Sequence, residues 1–135
     1  MAGSNEFQID HLGVAVRSLD AALDFYQKQL GFSVNLRETV ELEKVNVAML
    51  PAGGSRIELL EASSPDSVIA KFIQKRGEGL HHVALKVPDL AGTVDRLKSS
   101  GARLLNDPRP GAGGHLYVFV HPSSTGGVSL ELIQE

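Results

Sequence analysis

His11 and His82 stand 71 residues apart, and Glu58 and Glu131 stand 73 apart. Each His opens a near-copy of one motif: Asp10-His11-Leu12-Gly13-Val14-Ala15-Val16 returns as His81-His82-Val83-Ala84-Leu85-Lys86-Val87. Each Glu lies in a matching closing segment, Arg56-Ile57-Glu58-Leu59-Leu60-Glu61 and Ser129-Leu130-Glu131-Leu132-Ile133-Gln134. A repeat that kept only apolar positions would report a duplicated fold. This one also keeps an imidazole and a carboxylate in each copy. Two His and two carboxylates related by an internal pseudo-twofold form a nitrogen-and-oxygen metal site. Four such ligands leave two positions of an octahedron for water or a chelating substrate. That arrangement suits substrates with two nearby oxygens, where the ion acts as a Lewis acid on an enolate.

Each residue type also has an ordinary role to be set against this one. A lone strand His is more often a hydrogen-bonded structural residue than a ligand. Residues two apart in a strand share a face, so His11 shares one with Gly13 and Ala15, and His82 shares one with Ala84. Those small neighbours leave room above the sheet for an ion or ligand. A Glu between apolar neighbours points to solvent on a one-sided sheet, but in a sheet covered on both faces it is a buried charge that must be paired or bound to a metal. Recurrence favours the second case. Glu61 and Gln134 read as ordinary strand-end polar groups, and His81 points away from His82. His121 precedes a Pro and shapes a turn, while His115 can reach a ligand from a neighbouring loop. The chain has no Cys, which removes disulfides, thiolate metal sites and a Cys nucleophile together.

The elements that must position these groups also repeat. Residues 7–16 alternate as a strand, and Ser18 caps a helix over residues 19–30, with Leu19, Ala22, Leu23, Tyr26 and Leu30 on one stripe. Strands follow at 32–37, 45–50 and 56–60. Asp66 or Ser67 caps a linking helix to Arg76, which Gly77-Glu78-Gly79 breaks. The second copy places a strand at 82–87, a helix at 90–99, and strands beginning at 103 and running over 116–121 and 128–133. Residues 106–114 form the one long irregular loop, and such loops are more often functional than idle. The expected fold is α+β: two tandem βαβββ modules forming a cupped mixed sheet around a metal site. It is one domain over residues 1–135, with module one at about 7–61, the linking helix at about 66–76 and module two at about 80–134.

With 135 residues, 42% of them hydrophobic, the chain can bury a core of its own. A formal charge of −3 argues against a nucleic-acid partner, and no apolar run reaches the length of a membrane span. The opening Met1-Ala2-Gly3-Ser4-Asn5-Glu6 has neither the basic flank nor the apolar core of a targeting peptide. A cytoplasmic location is expected.

Strand-helix-three-strand modules in tandem, with His opening and Glu closing each, resemble the vicinal oxygen chelate superfamily, which includes glyoxalase I, extradiol dioxygenases and bleomycin-resistance proteins. Within it, Ser67-Val68-Ile69-Ala70-Lys71-Phe72-Ile73 running into Gly79-Leu80-His81-His82-Val83-Ala84 is similar to the linking helix and second metal strand of the methylmalonyl-CoA epimerase family. So are Pro110-Gly111-Ala112-Gly113-Gly114, Phe119-Val120-His121-Pro122 and Gly126-Gly127-Val128-Ser129-Leu130-Glu131-Leu132. The resemblance implies a divalent metal on His11, Glu58, His82 and Glu131, with Co2+ favoured and Mn2+, Ni2+ or Zn2+ as alternatives. It implies epimerisation of an acyl-CoA by two bases, one of them Glu131, and a homodimer. Lys71, Lys75, Arg76 and Arg109 are the expected partners of the coenzyme A phosphates, and Gly113, Gly114 and His115 the expected loop contacts.

Two positions depart from that pattern. Glu58 stands where the epimerases carry Gln or a similar residue; glyoxalase I has Glu there, so a glyoxalase I-type isomerase is the alternative enzyme. Asn46 is expected at the position of the second base. Asn takes no proton at neutral pH, so it would hold a water or leave the task to Glu41 or Glu43. A metal-free small-molecule-binding module on the same fold is the non-enzyme alternative.

Overall fold

Alternation draws Gln8–Ala15 into a strand, β1, which buries His11, Gly13 and Ala15 on one face, while on the other Leu12 is exposed and Val14 half-buried. β1 is paired in parallel with Ser55–Ala62 (β4). The computed structural model describes residues 6–134, the side chain of Ala112 excepted. The opening segment read for targeting lies outside the described residues up to residue 5.

The chain divides into two parts. The first is His11–His81. Ser18 caps helix α1 (Leu19–Leu23), its hydroxyl accepting from the Ala21 N–H at 3.2 Å. The helix expected to run on to Leu30 instead widens into a π-type turn over Asp24–Gln29, and the Leu30 N–H reaches the Phe25 carbonyl. Gly31, at φ 87°, then stops it in a conformation that L side chains rarely adopt.

Phe32 and Val34 were expected to begin the next strand. They instead pack against the α1 core from an irregular segment, and the strand β2 starts later, at Leu36–Val40. Val45–Ala52 (β3) pairs antiparallel with both β2 and β4. Val16, Leu19, Leu23, Ala48, Leu50 and Leu59 form the core between α1 and this sheet. Leu50 and Leu59 are wholly buried, each contributing about 1.5–3 kcal/mol. Helix α2 (Val68–Arg76) follows, with Ser67 as its cap.

The second part holds the residues before His11 and those from His82 on. Its elements are β5 (Gly79–Lys86, begun within the first part), α3 (Leu90–Ser99), β6 (Arg109–Pro110), β7 (Leu116–Val120) and β8 (Leu130–Gln134). Its core of Val87, Leu90, Val94, Val118, Val120 and Leu132 repeats the first. β5 and β8 are parallel, and β7 is antiparallel to both β8 and β6.

The strand expected from residue 103 is reduced to one bridge, Leu104 with Val120. The edge position goes to β6, drawn from the long loop. The side-chain oxygen of Asn106 accepts from the Phe119 N–H at 2.8 Å and its amide donates to the Tyr117 carbonyl at 3.3 Å, which ties that loop to β7. The eight strands belong to one mixed sheet in the order β2-β3-β4-β1-β5-β8-β7-β6. No helix among the described residues is long and apolar enough to cross a membrane.

Candidate metal centre

The same local construction appears in each half. In β1 and β4, Gly13 lies directly across from Glu58, and His11 precedes that glycine by two residues on the same face. In β5 and β8, Ala84 lies across from Glu131, with His82 two residues before it. A glycine and an alanine at these positions leave the carboxylates free to turn along the strand toward the imidazoles. His11 Nε2 lies 3.3 Å from Glu58 Oε1, and His82 Nε2 lies 2.9 Å from Glu131 Oε1. All four residues are buried, the two carboxylates at 6% and 7% exposure. Each of the four offers one ligand atom, and these atoms lie within 4.8 Å of one another.

That donor set fits a divalent cation. Two buried carboxylates so close repel each other and have lost their hydration, and a dication offsets both costs. Two imidazole nitrogens with two carboxylate oxygens suit a hard or borderline ion. The group can therefore hold a metal. Phe119 lies across from Glu131 in β7 and sets its ring edge-on to His82 at 5.3 Å, restricting that imidazole. Composition did not single Phe119 out. Its alternation with Tyr117, on the same face of β7, was the available signal.

Asn46 falls elsewhere. In β3 it pairs with Thr39 on one side and Glu61 on the other. Its oxygen accepts from the Thr39 hydroxyl at 2.7 Å, and its NH₂ donates to Glu61 Oε1 at 2.8 Å. The second Glu61 oxygen accepts from the Leu19 N–H at 2.9 Å, at the start of α1. This row lies on the α1 side of the sheet, whereas Glu58, one residue out of phase with Ile57 and Leu59, lies on the other. The expectation that Asn46 occupies a catalytic position is corrected here: strand alternation turns it away from Glu58, and both ends of its amide are already used. Glu41 and Glu43 sit in the turn joining β2 to β3.

Glu61 and Gln134, read as idle strand ends, prove to be caps. Gln134 Oε1 accepts from the Leu90 N–H at 2.6 Å, as Glu61 does from Leu19, so each half fastens its helix start to its closing strand. Lys71, Lys75 and Arg76 are exposed on α2. Arg109 is exposed on β6 with its guanidinium 5.8 Å from the Tyr117 ring centre. Gly113 and Gly114 form a tight turn at φ 71° and 78°, and the half-buried His115 follows. His81 packs against Phe72 of α2, and His121 Nδ1 accepts from the Ser123 N–H.

Residues 10–119 match the model of the Glyoxalase/Bleomycin resistance protein/Dioxygenase superfamily. The chain belongs to this superfamily. Among similar proteins, the uncharacterized protein YqjC of Bacillus subtilis is 39% identical over 94% of this chain and 91% of its own length. The mitochondrial methylmalonyl-CoA epimerase of Mus musculus is 37% identical over 94% of this chain and 72% of its own. A variant of Streptomyces coelicolor methylmalonyl-CoA epimerase, solved in complex with 2-nitronate-propionyl-CoA, superposes with a TM-score of 0.91 at 37% identity. That match covers 95% of this chain and 96% of the other. The chain has the vicinal oxygen chelate fold of those epimerase structures.

Proposed function

We propose that this member of the superfamily is an isomerase that interconverts the R and S forms of methylmalonyl-CoA. The observation that carries the reading is the pair of buried His–Glu couples, four ligand atoms within 4.8 Å, in a chain 37% identical to an epimerase solved with an acyl-CoA ligand. A divalent cation held there would supply Lewis acidity against the negative charge that develops on the thioester oxygen when the α-proton leaves. Co2+ is favoured by the family resemblance, with Mn2+, Ni2+ and Zn2+ suited to the same donors.

Glu131 is assigned two tasks, as ligand and as the base that takes a proton from one face of the α-carbon; Glu58 is assigned as ligand only. The exposed cations Lys71, Lys75, Arg76 and Arg109 are assigned to the coenzyme A phosphates, and Gly113, Gly114 and His115 to the loop against the ligand. Glycine lets a ligand approach the backbone closely there. A cytoplasmic homodimer acting in propionyl-CoA metabolism completes the reading.

The test is proton NMR in deuterated buffer with methylmalonyl-CoA and metal-replete protein. The α-proton signal should disappear and the opposite epimer should accumulate, and a chelator should stop both. A glutathione hemithioacetal should not turn over; its turnover would favour the glyoxalase I alternative. No exchange with methylmalonyl-CoA at full metal content would overturn the epimerase reading.

A further inference from the structure

Inversion at carbon needs a proton taken from one face and another delivered to the opposite face, so two carriers are required. Resting on the epimerase reading, the register of the first part points to the second: we infer that Glu38 is the other proton carrier. Residues directly opposite in neighbouring strands share a face. Met49 is opposite Glu58, and Leu36 is opposite Met49. One step along, Val47 is opposite Leu60, and Glu38 is opposite Val47. Glu38 therefore stands on the Glu58 face of the sheet, two strand spacings and one side-chain step away, roughly 12 Å between backbones.

The strand residues on that face are His11, Gly13 and Ala15 of β1, Leu36, Glu38 and Val40 of β2, Val45, Val47, Met49 and Pro51 of β3, and Arg56, Glu58, Leu60 and Ala62 of β4. Only two of these are carboxylates, Glu58 and Glu38. Arg37 and Thr39, beside Glu38 in sequence, turn to the α1 side, where Arg37 bonds Asp20 at 2.9 Å. Both are exposed, while Leu36, Glu38 and Val40 are half-buried.

In the forward step Glu131 takes the α-proton and the C–H electron pair moves onto the carbonyl oxygen. The Glu38 carboxylic acid then gives its proton to the other face of the same carbon as the pair returns. The product is the epimer, with Glu131 protonated and Glu38 ionised, and exchange with water resets both.

The experiment follows deuterium incorporation and inversion separately from each pure epimer, using wild type, Glu38→Gln and Glu38→Asp, with metal content measured for all three. Glu38→Gln should hold its metal and lose inversion by at least about a hundredfold. The epimer deprotonated by Glu131 should still exchange its proton with retention, and the other epimer should fall silent. Glu38→Asp should recover part of the inversion. Unchanged inversion in Glu38→Gln would overturn the proposal, as would an equal loss of exchange from both epimers. Absence of exchange in the wild type is a different failure, which removes the epimerase reading and this inference with it.

Discussion

At the scale of single residues, a one-step difference in strand parity separates chemistry from architecture. Glu58 and Glu61 are three apart in β4 and so lie on opposite faces; one pairs with an imidazole, the other caps a helix. Replacing Glu58 by Gln should retain metal and much of the turnover, since an amide oxygen still ligates. Glu131→Gln should retain metal but lose about a hundredfold or more in turnover, because the amide accepts no proton. Elemental analysis beside the exchange assay checks both, and equal losses would refute the division of roles. Asn46→Leu should behave differently again. It strips Thr39 and Glu61 of their partner and should cost about 1–3 kcal/mol in denaturant unfolding, while leaving the ratio of exchange to inversion untouched. The four residues that come together, His11, Glu58, His82 and Glu131, were legible in the sequence because they recur. Asn46 was misread because an error of one residue in a strand moves a side chain to the other face, and composition around 41–50 does not fix the phase. Gln134 and Glu61 were overlooked although they share the 73-residue offset of Glu58 and Glu131.

Elements were read best where a cap or a strong stripe marks them. Of the two caps the sequence offers for helix α2, Asp66 and Ser67, it is Ser67 whose hydroxyl accepts from the Ala70 N–H at 3.0 Å. That serine is buried, so Ser67→Ala should lower stability by about 1–2 kcal/mol, measured by chemical denaturation. Just before it, Asp66 is held down to about 2 from an ordinary 3.8, chiefly by its hydrogen bond from Lys44 and then by Ser64. A carboxyl depressed in the folded state stabilises the protein above its unfolded value and loses that contribution as pH falls. The stability gap between wild type and Lys44→Met should therefore be full above about pH 4 and close between pH 4 and 2, whereas a gap independent of pH would refute the pairing. Elements were misjudged where packing overrode pattern. Phe32 and Val34 look like strand residues but serve the α1 core from a loop, and the residues from 103 make a single bridge because Asn106 diverts the chain to the β7 edge.

For the molecule as a whole, duplication gives each part its own apolar cluster, helix cap and His–Glu couple. A cation that binds only the folded chain stabilises it by mass action, about 4 kcal/mol when present at a thousand times its dissociation constant. Chelation should therefore lower the melting temperature as well as activity, and adding back a divalent cation should return both. His82→Ala should lose metal content and this chelator-sensitive increment together, and full occupancy in that variant would remove His82 from the site. The tandem architecture was legible because the repeat spans nearly the whole chain. The two-residue length of β6 was not, since it depends on what the 106–114 loop finds at the β7 edge.

The alternation of β3 has a consequence for engineering. Codons 45, 47 and 49 specify side chains on the Glu58 face, while codons 46, 48 and 50 specify the seat of α1. Two mutant libraries drawn from the same eight-residue strand should therefore sort differently. Val47 and Met49 are as buried as Ala48 and Leu50, so aliphatic diversity at either pair should spread the variants in soluble yield. Diversity at 47 and 49 should also spread them in which acyl branch they accept. Screening both pools for yield and turnover would show an axis of substrate choice in one set of alternate triplets that the other set lacks.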